Sequence, residues 1–133
     1  MLIVGSLPPT YSTELRSLVV AVNSLTGSLP VSLGAATALY TLSLQHNSFT
    51  GTIPSALGQL TRMEILLFNL NSLSGTIPTQ LDRLNNLVLL LFSDNSLTGT
   101  VPEGFYPGMP DMLDFRVENN FLTGRLFTAV HFD

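Results

Sequence analysis

The side chains that most often act as bases and nucleophiles near neutral pH are histidine, lysine and cysteine. They are scarce here: His46 and His131 are the only histidines, and there is no lysine and no cysteine. No His, Asp and Glu residues recur at a metal-ligand spacing, and neither a glycine-rich phosphate loop nor a serine-elbow motif occurs. The chain therefore reads as a non-enzyme that needs no cofactor. One compact set of opposite charges, Asp114, Arg116 and Glu118, alternates along the chain. It either orients a partner electrostatically or forms a solvated face in which each pair contributes little.

The group that does recur is the carboxamide. Asn23, Asn47, Asn71 and Asn95 fall 24 residues apart, and Asn120 follows after 25. An inward amide offers two donors and one acceptor. It can pair backbone groups where a chain turns through a dry interior and where each unpaired group costs about 1–3 kcal/mol. These asparagines read as a structural ladder, not as ligands for a partner.

A phase held through five copies is made by stacking one short unit. In the second copy Leu39, Leu42, Leu44, Asn47 and Phe49 spell L-x-x-L-x-L-x-x-N-x-L, and Gly51, Ile53 and Pro54 follow. The other copies run Leu15 to Leu25, Met63 to Leu73, Leu87 to Leu97 and Met112 to Leu122. Alternation around the central apolar pair predicts a short strand with one face inward. In the second half Gly permits a bend, while Pro fixes φ and removes a donor. The spacing predicts an extended or 3₁₀ return, one helical turn at most over stretches such as 55–60, and little α-helix. The units are a partial one at 1–14, full ones at 15–38, 39–62, 63–86 and 87–111, and a partial one at 112–133.

A net charge of −4 argues against nucleic acid, which wants a basic stripe, and against anionic membrane surfaces. With no cysteine the chain is silent on redox compartment. Residues 1–4 are too short for a secretory signal, residues 87–92 fall far short of a membrane span, and no Asn-x-Ser/Thr sequon occurs. Both ends cut through a unit, with Phe127 standing where a proline is expected. The chain reads as a piece of a longer array, or as a short gene product that is marginally capped, with open strand edges prone to self-association.

Residues 15–126 resemble the plant-type leucine-rich repeat, in which N-x-L-x-G-x-(I/L)-P follows the leucine strand. Asn47 to Pro54, Asn71 to Pro78, Asn95 to Pro102 and Asn23 to Pro30 carry the match. The family includes plant receptor-kinase ectodomains, polygalacturonase-inhibiting proteins and protozoan surface antigens, the last faintly echoed at residues 7–12. The resemblance implies an α/β solenoid: a right-handed coil with a parallel concave sheet and a mostly irregular or 3₁₀ convex side. It also implies protein or ligand recognition and an extracellular or cell-surface address. The chain departs from the family in lacking capping cysteines, a signal peptide, a kinase and a membrane span. Any membrane link would then run through other parts of a parent protein.

On such a coil the outward strand positions form rows across the concave face. The rows are Ser17, Thr41, Ile65, Leu89, Asp114; then Val19, Ser43, Leu67, Leu91, Arg116; then Ala21, Gln45, Asn69, Ser93, Glu118; and finally Val22, His46, Leu70, Asp94, Asn119. His46 and Asp94 share a row but stand two repeats, roughly 10 Å, apart. Ile65, Leu67, Leu70, Leu89 and Leu91 should meet as an exposed apolar patch, flanked by Asn69, Ser93, Asp94, Arg116 and Glu118. Rimmed apolar patches often mark interaction sites, so a protein or peptide on this face is expected. Self-association and a plain spacer role remain alternatives. A remoter one is ice binding, through two hydroxyl rows stacked from Thr26-Gly27-Ser28, Thr50-Gly51-Thr52, Ser74-Gly75-Thr76 and Thr98-Gly99-Thr100.

Overall fold

A computed structural model describes residues 1–124 of the chain. Phe127 and His131 lie outside the described residues, as does the end of the last unit. The strands in chain order are β1 (Val4–Gly5), β2 (Ser17–Val19), β3 (Ser24–Ser28), β4 (Thr41–Ser43), β5 (Ser48–Thr52) and β6 (Ile65–Leu67). They continue with β7 (Ser72–Thr76), β8 (Leu89–Leu91), β9 (Ser96–Gly99), β10 (Asp114–Arg116) and β11 (Phe121–Leu122). Two parallel sheets result. The concave one has five strands in the order β10-β8-β6-β4-β2, and the second has six in the order β1-β3-β5-β7-β9-β11.

The concave sheet follows the repeat. Leu42 pairs with Leu66 and Leu66 with Leu90, so residue i meets residue i+24. Between the sheets lies a continuous spine in which Leu42, Leu66, Leu90, Phe49, Phe68 and Phe92 are fully buried. The rings of Phe68 and Phe92 stack with centroids 5.5 Å apart. The return segments are the expected 3₁₀ turns, at Val31–Ala35, Ser55–Gln59 and Thr79–Arg83, each entered from a proline. At Gly58 a Cβ would lie 2.5 Å from the Gln80 carbonyl oxygen, which is how closely these turns stack. The fourth unit makes one α-turn instead, α1 (Phe105–Gly108), and Phe105 packs edge-on against Phe115 with centroids 6.0 Å apart.

The six-stranded sheet is an addition to the mostly irregular or 3₁₀ convex side expected above. The segment S-x-T-G-T contains a glycine, which weakens strand propensity, and its pairing partners lie one repeat away. Its register also differs, since Thr50 pairs with Ser72 and Gly51 with Leu73, so residue i meets residue i+22. The second sheet is thus staggered by two residues, roughly 6.6 Å, per strand, where the concave sheet has no stagger. This lag means the expected hydroxyl rows are not straight. Ser28 faces Thr50 and Thr76 faces Thr98, each two residues out of step.

Candidate partner-binding face

The asparagine ladder sets the rigidity of the face. Asn71 donates from Nδ2 to the carbonyls of Phe68 in its own coil (3.1 Å) and Leu44 in the preceding coil (3.0 Å). Its Oδ1 accepts from the Phe49 amide at 3.1 Å. Asn47 and Asn95 repeat the same bonds one coil either side, and Asn120 donates to Phe92 and Val117 while accepting from Leu97. Asn23 accepts from the Ile3 amide. Each amide thus ties two coils where the chain leaves the concave sheet, and no ladder amide is left over for a partner.

Immediately before each ladder residue the backbone turns left-handed. Val22, His46, Leu70, Asp94 and Asn119 all have φ between 54° and 58°. His, Asp and Asn adopt this region readily, whereas Leu and especially β-branched Val do so at a cost. The sequence rows placed these residues on the concave face as strand positions. They are the corner that turns the chain out of it.

Ile65 pairs with Leu89 and Leu67 with Leu91, so β6 and β8 together present a square of four aliphatic side chains. On the N-terminal side the square meets Thr41 and Ser43, and on the other Asp114 and Arg116. The sequence pointed to an exposed patch. Instead, all four are half-buried, because neighbours on strands roughly 4.8 Å apart shade one another. Leu70 is exposed, and Val19, on the edge strand and shaded from one side only, is 61% exposed.

The polar surround is uneven. Ser43 donates to Gln45 Oε1 at 2.6 Å, and Ser93 is buried. Asn69 is half-buried, with its Oδ1 enclosed and without a donor. Beyond β8, Arg116 Nε donates to both oxygens of Asp114 at 3.1 and 3.0 Å. That bond, then the charge of Asp114, raises the guanidinium further above its ordinary range, with Glu118 adding less. Asn119 Nδ2 donates to Asp94 Oδ1 at 2.7 Å. Among the described residues no ion pair is formed by Asp94 or Glu118, and no three His, Asp or Glu side chains converge.

The second sheet turns an outward face made of hydroxyls: Ser48, Thr50 and Thr52 on β5, Ser72, Ser74 and Thr76 on β7, and Ser96 and Thr98 on β9. Glycine is required beneath it. Gly75 has φ +74°, and a Cβ there would lie 2.8 Å from the Thr52 methyl. Where this face meets the 3₁₀ turns, an open groove of about 790 Å³ runs along Thr52, Thr76, Thr100, Pro54, Pro78 and Ile77. The sequence reading did not foresee the groove. Its signal is the threonine two residues before Pro54, Pro78 and Pro102, which the sequence places in the hydroxyl rows.

The Leucine Rich Repeat family model matches residues 38–60 and 86–107. Among solved structures, the chain is similar to the ectodomain of the Arabidopsis thaliana receptor kinase GASSHO1/SCHENGEN3, crystallised with CASPARIAN STRIP INTEGRITY FACTOR 2. There the identity is 32% and the TM-score 0.89, over 94% of this chain and 15% of that one. It is similar to the Arabidopsis receptor kinase HAESA ectodomain in complex with an IDA peptide hormone (30% identity, TM-score 0.81, 91% of this chain and 20% of that one). It is also similar to the Arabidopsis thaliana BIR2 ectodomain (30% identity, TM-score 0.81, 95% of this chain and 67% of that one). The chain thus spans a fifth or less of the two ectodomains crystallised with ligands. Among curated proteins no sequence matches.

Proposed function

The chain belongs to the plant-type leucine-rich-repeat family, and from that premise we propose that it is a non-catalytic recognition module docking a protein or peptide on its concave sheet. The observation that carries this reading is the Ile65, Leu67, Leu89, Leu91 square, set on a rigid ladder and rimmed by polar groups. Ectodomains of this fold hold peptide or protein ligands in two of the similar structures. The same likeness supports a cell-surface or extracellular address and a place within a longer array.

Magnitude limits the claim. Fully burying an exposed aliphatic gains roughly 1.5–3 kcal/mol, so each half-buried member of the square offers about 1 kcal/mol. The sum of about 4 kcal/mol only matches the lower estimates of what association costs. The square alone is an anchor, and the polar flanks or further coils must contribute. This chain by itself should bind weakly.

The test uses the chain's own alternative sequence. β4 carries Thr41 and Ser43 at the positions of Ile65 and Leu67, so Leu67→Ser with Leu91→Ser installs residues the fold already accepts. Short random peptides displayed on phage and selected on the immobilised chain should lose about tenfold or more in affinity for this variant, at about 1 kcal/mol per leucine. Its melting temperature should stay within a few degrees. Undiminished capture by a folded variant would contradict the reading. A second reading, self-association, is favoured by exposed Leu2, Ile3, Val4, Val19 and Val22 on neighbouring coils. Sedimentation across a concentration series separates the two, since a monomer throughout excludes it.

A further inference from the structure

The two flanks of the aliphatic square differ in charge. Toward β4 they are Thr41, Ser43, Gln45 and His46, with no carboxylate among them. Toward β10 they are Asp94, Asp114, Arg116 and Glu118. The single cation there is held by Asp114 through two hydrogen bonds to Nε, so its charge is spent locally. Asp94 keeps one oxygen free of hydrogen bonds among the described residues, the other accepting one from Asn119. Glu118 is exposed, and among the described residues its carboxylate accepts no hydrogen bond and forms no ion pair. Three carboxylates against one guanidinium thus leave this side of the apolar anchor site with a net charge of −2.

Resting on the concave-face reading above, we propose that the occupant is a peptide segment carrying a basic side chain beside its apolar anchor, set over Asp94 and Glu118. Complementary charges of this kind fix register and orientation more than they add raw affinity. The apolar residue sits on Leu67 and Leu91, and a lysine or arginine next to it reaches toward the β10 side. The opposite polarity places the cation over Thr41 and Ser43, where nothing receives it. The segment therefore has one favoured direction across the sheet.

The experiment sequences the peptides selected on the intact chain and measures their affinity at low and high salt. The proposal expects lysine or arginine enriched within two positions of an aliphatic or aromatic residue, and affinity falling with salt. Asp94→Asn with Glu118→Gln should weaken those peptides about tenfold while leaving neutral apolar peptides unchanged. Both substitutions are nearly isosteric, and asparagine suits the left-handed φ at residue 94, so folding is retained. Peptides that require Leu67 and Leu91 but show no basic enrichment, or ignore the charge variant, overturn this inference alone. Peptides indifferent to the Leu67→Ser and Leu91→Ser variant, or no enriched peptide at all, overturn it together with the concave-face reading.

Discussion

The two sheets of this coil use the same repeat in opposite ways. Outward positions of the second sheet barely change from coil to coil: Ser48, Thr50 and Thr52 are followed by Ser72, Ser74 and Thr76, and then by Ser96 and Thr98. Outward positions of the concave sheet vary in chemical class along the coil, from Ser17 and Thr41 through Ile65 and Leu89 to Asp114. The constancy has a geometric cause, since each glycine between the hydroxyls is left-handed, and Gly75 and Gly99 are also crowded by the threonine of the preceding coil. No such constraint reaches the concave positions, so chemistry specific to one partner can be written there without disturbing the stack.

The contrast can be broken most forcefully from inside. Asn71→Ala leaves the carbonyls of Phe68 and Leu44 and the amide of Phe49 without their partner. It should destabilise by about 3–5 kcal/mol, read by urea denaturation, and disable both sheets together. Gly75→Val attacks only the second sheet, through its φ and the Thr52 methyl. It should cost about 2–4 kcal/mol by the same measurement, yet leave peptide capture by surviving folded protein unaltered. Leu70→Asn sharpens the contrast. It relieves a left-handed leucine and should stabilise by about 1 kcal/mol, while weakening captured peptides that reach this corner. Calorimetry and affinity would then move in opposite directions. The smallest effect belongs to the hydroxyl face. Thr50→Ala with Thr98→Ala should stay within about 0.5 kcal/mol and change neither binding nor the freezing behaviour of the solution. A measurable thermal hysteresis in the unmodified chain, lost in that variant, would instead favour the ice-binding alternative.

The period alone was enough to read the coil, the leucine spine and the 3₁₀ returns, because each depends on residues close in sequence. The second sheet was hidden because its strands are short, contain glycine, and pair only across coils. The lag that bends the hydroxyl rows is a pairing register between coils, which no single unit encodes. His46, Asp94 and Asn119 hint at a left-handed corner, but Val22 and Leu70 in the same place mask it. The sequence groups five aliphatics, of which the sheet pairs Ile65, Leu67, Leu89 and Leu91 and leaves Leu70 at the corner; their half-burial depends on what the neighbouring strands carry.

The central claim is that recognition is anchored on the concave square. Methyl spectra of leucine- and isoleucine-labelled chain, titrated with a selected peptide, test it directly. Shifts should concentrate at Ile65, Leu67, Leu89 and Leu91 while Ile53, Leu57, Ile77 and Leu81 on the 3₁₀ side stay fixed. Shifts confined to that second group, at the groove, would contradict the account.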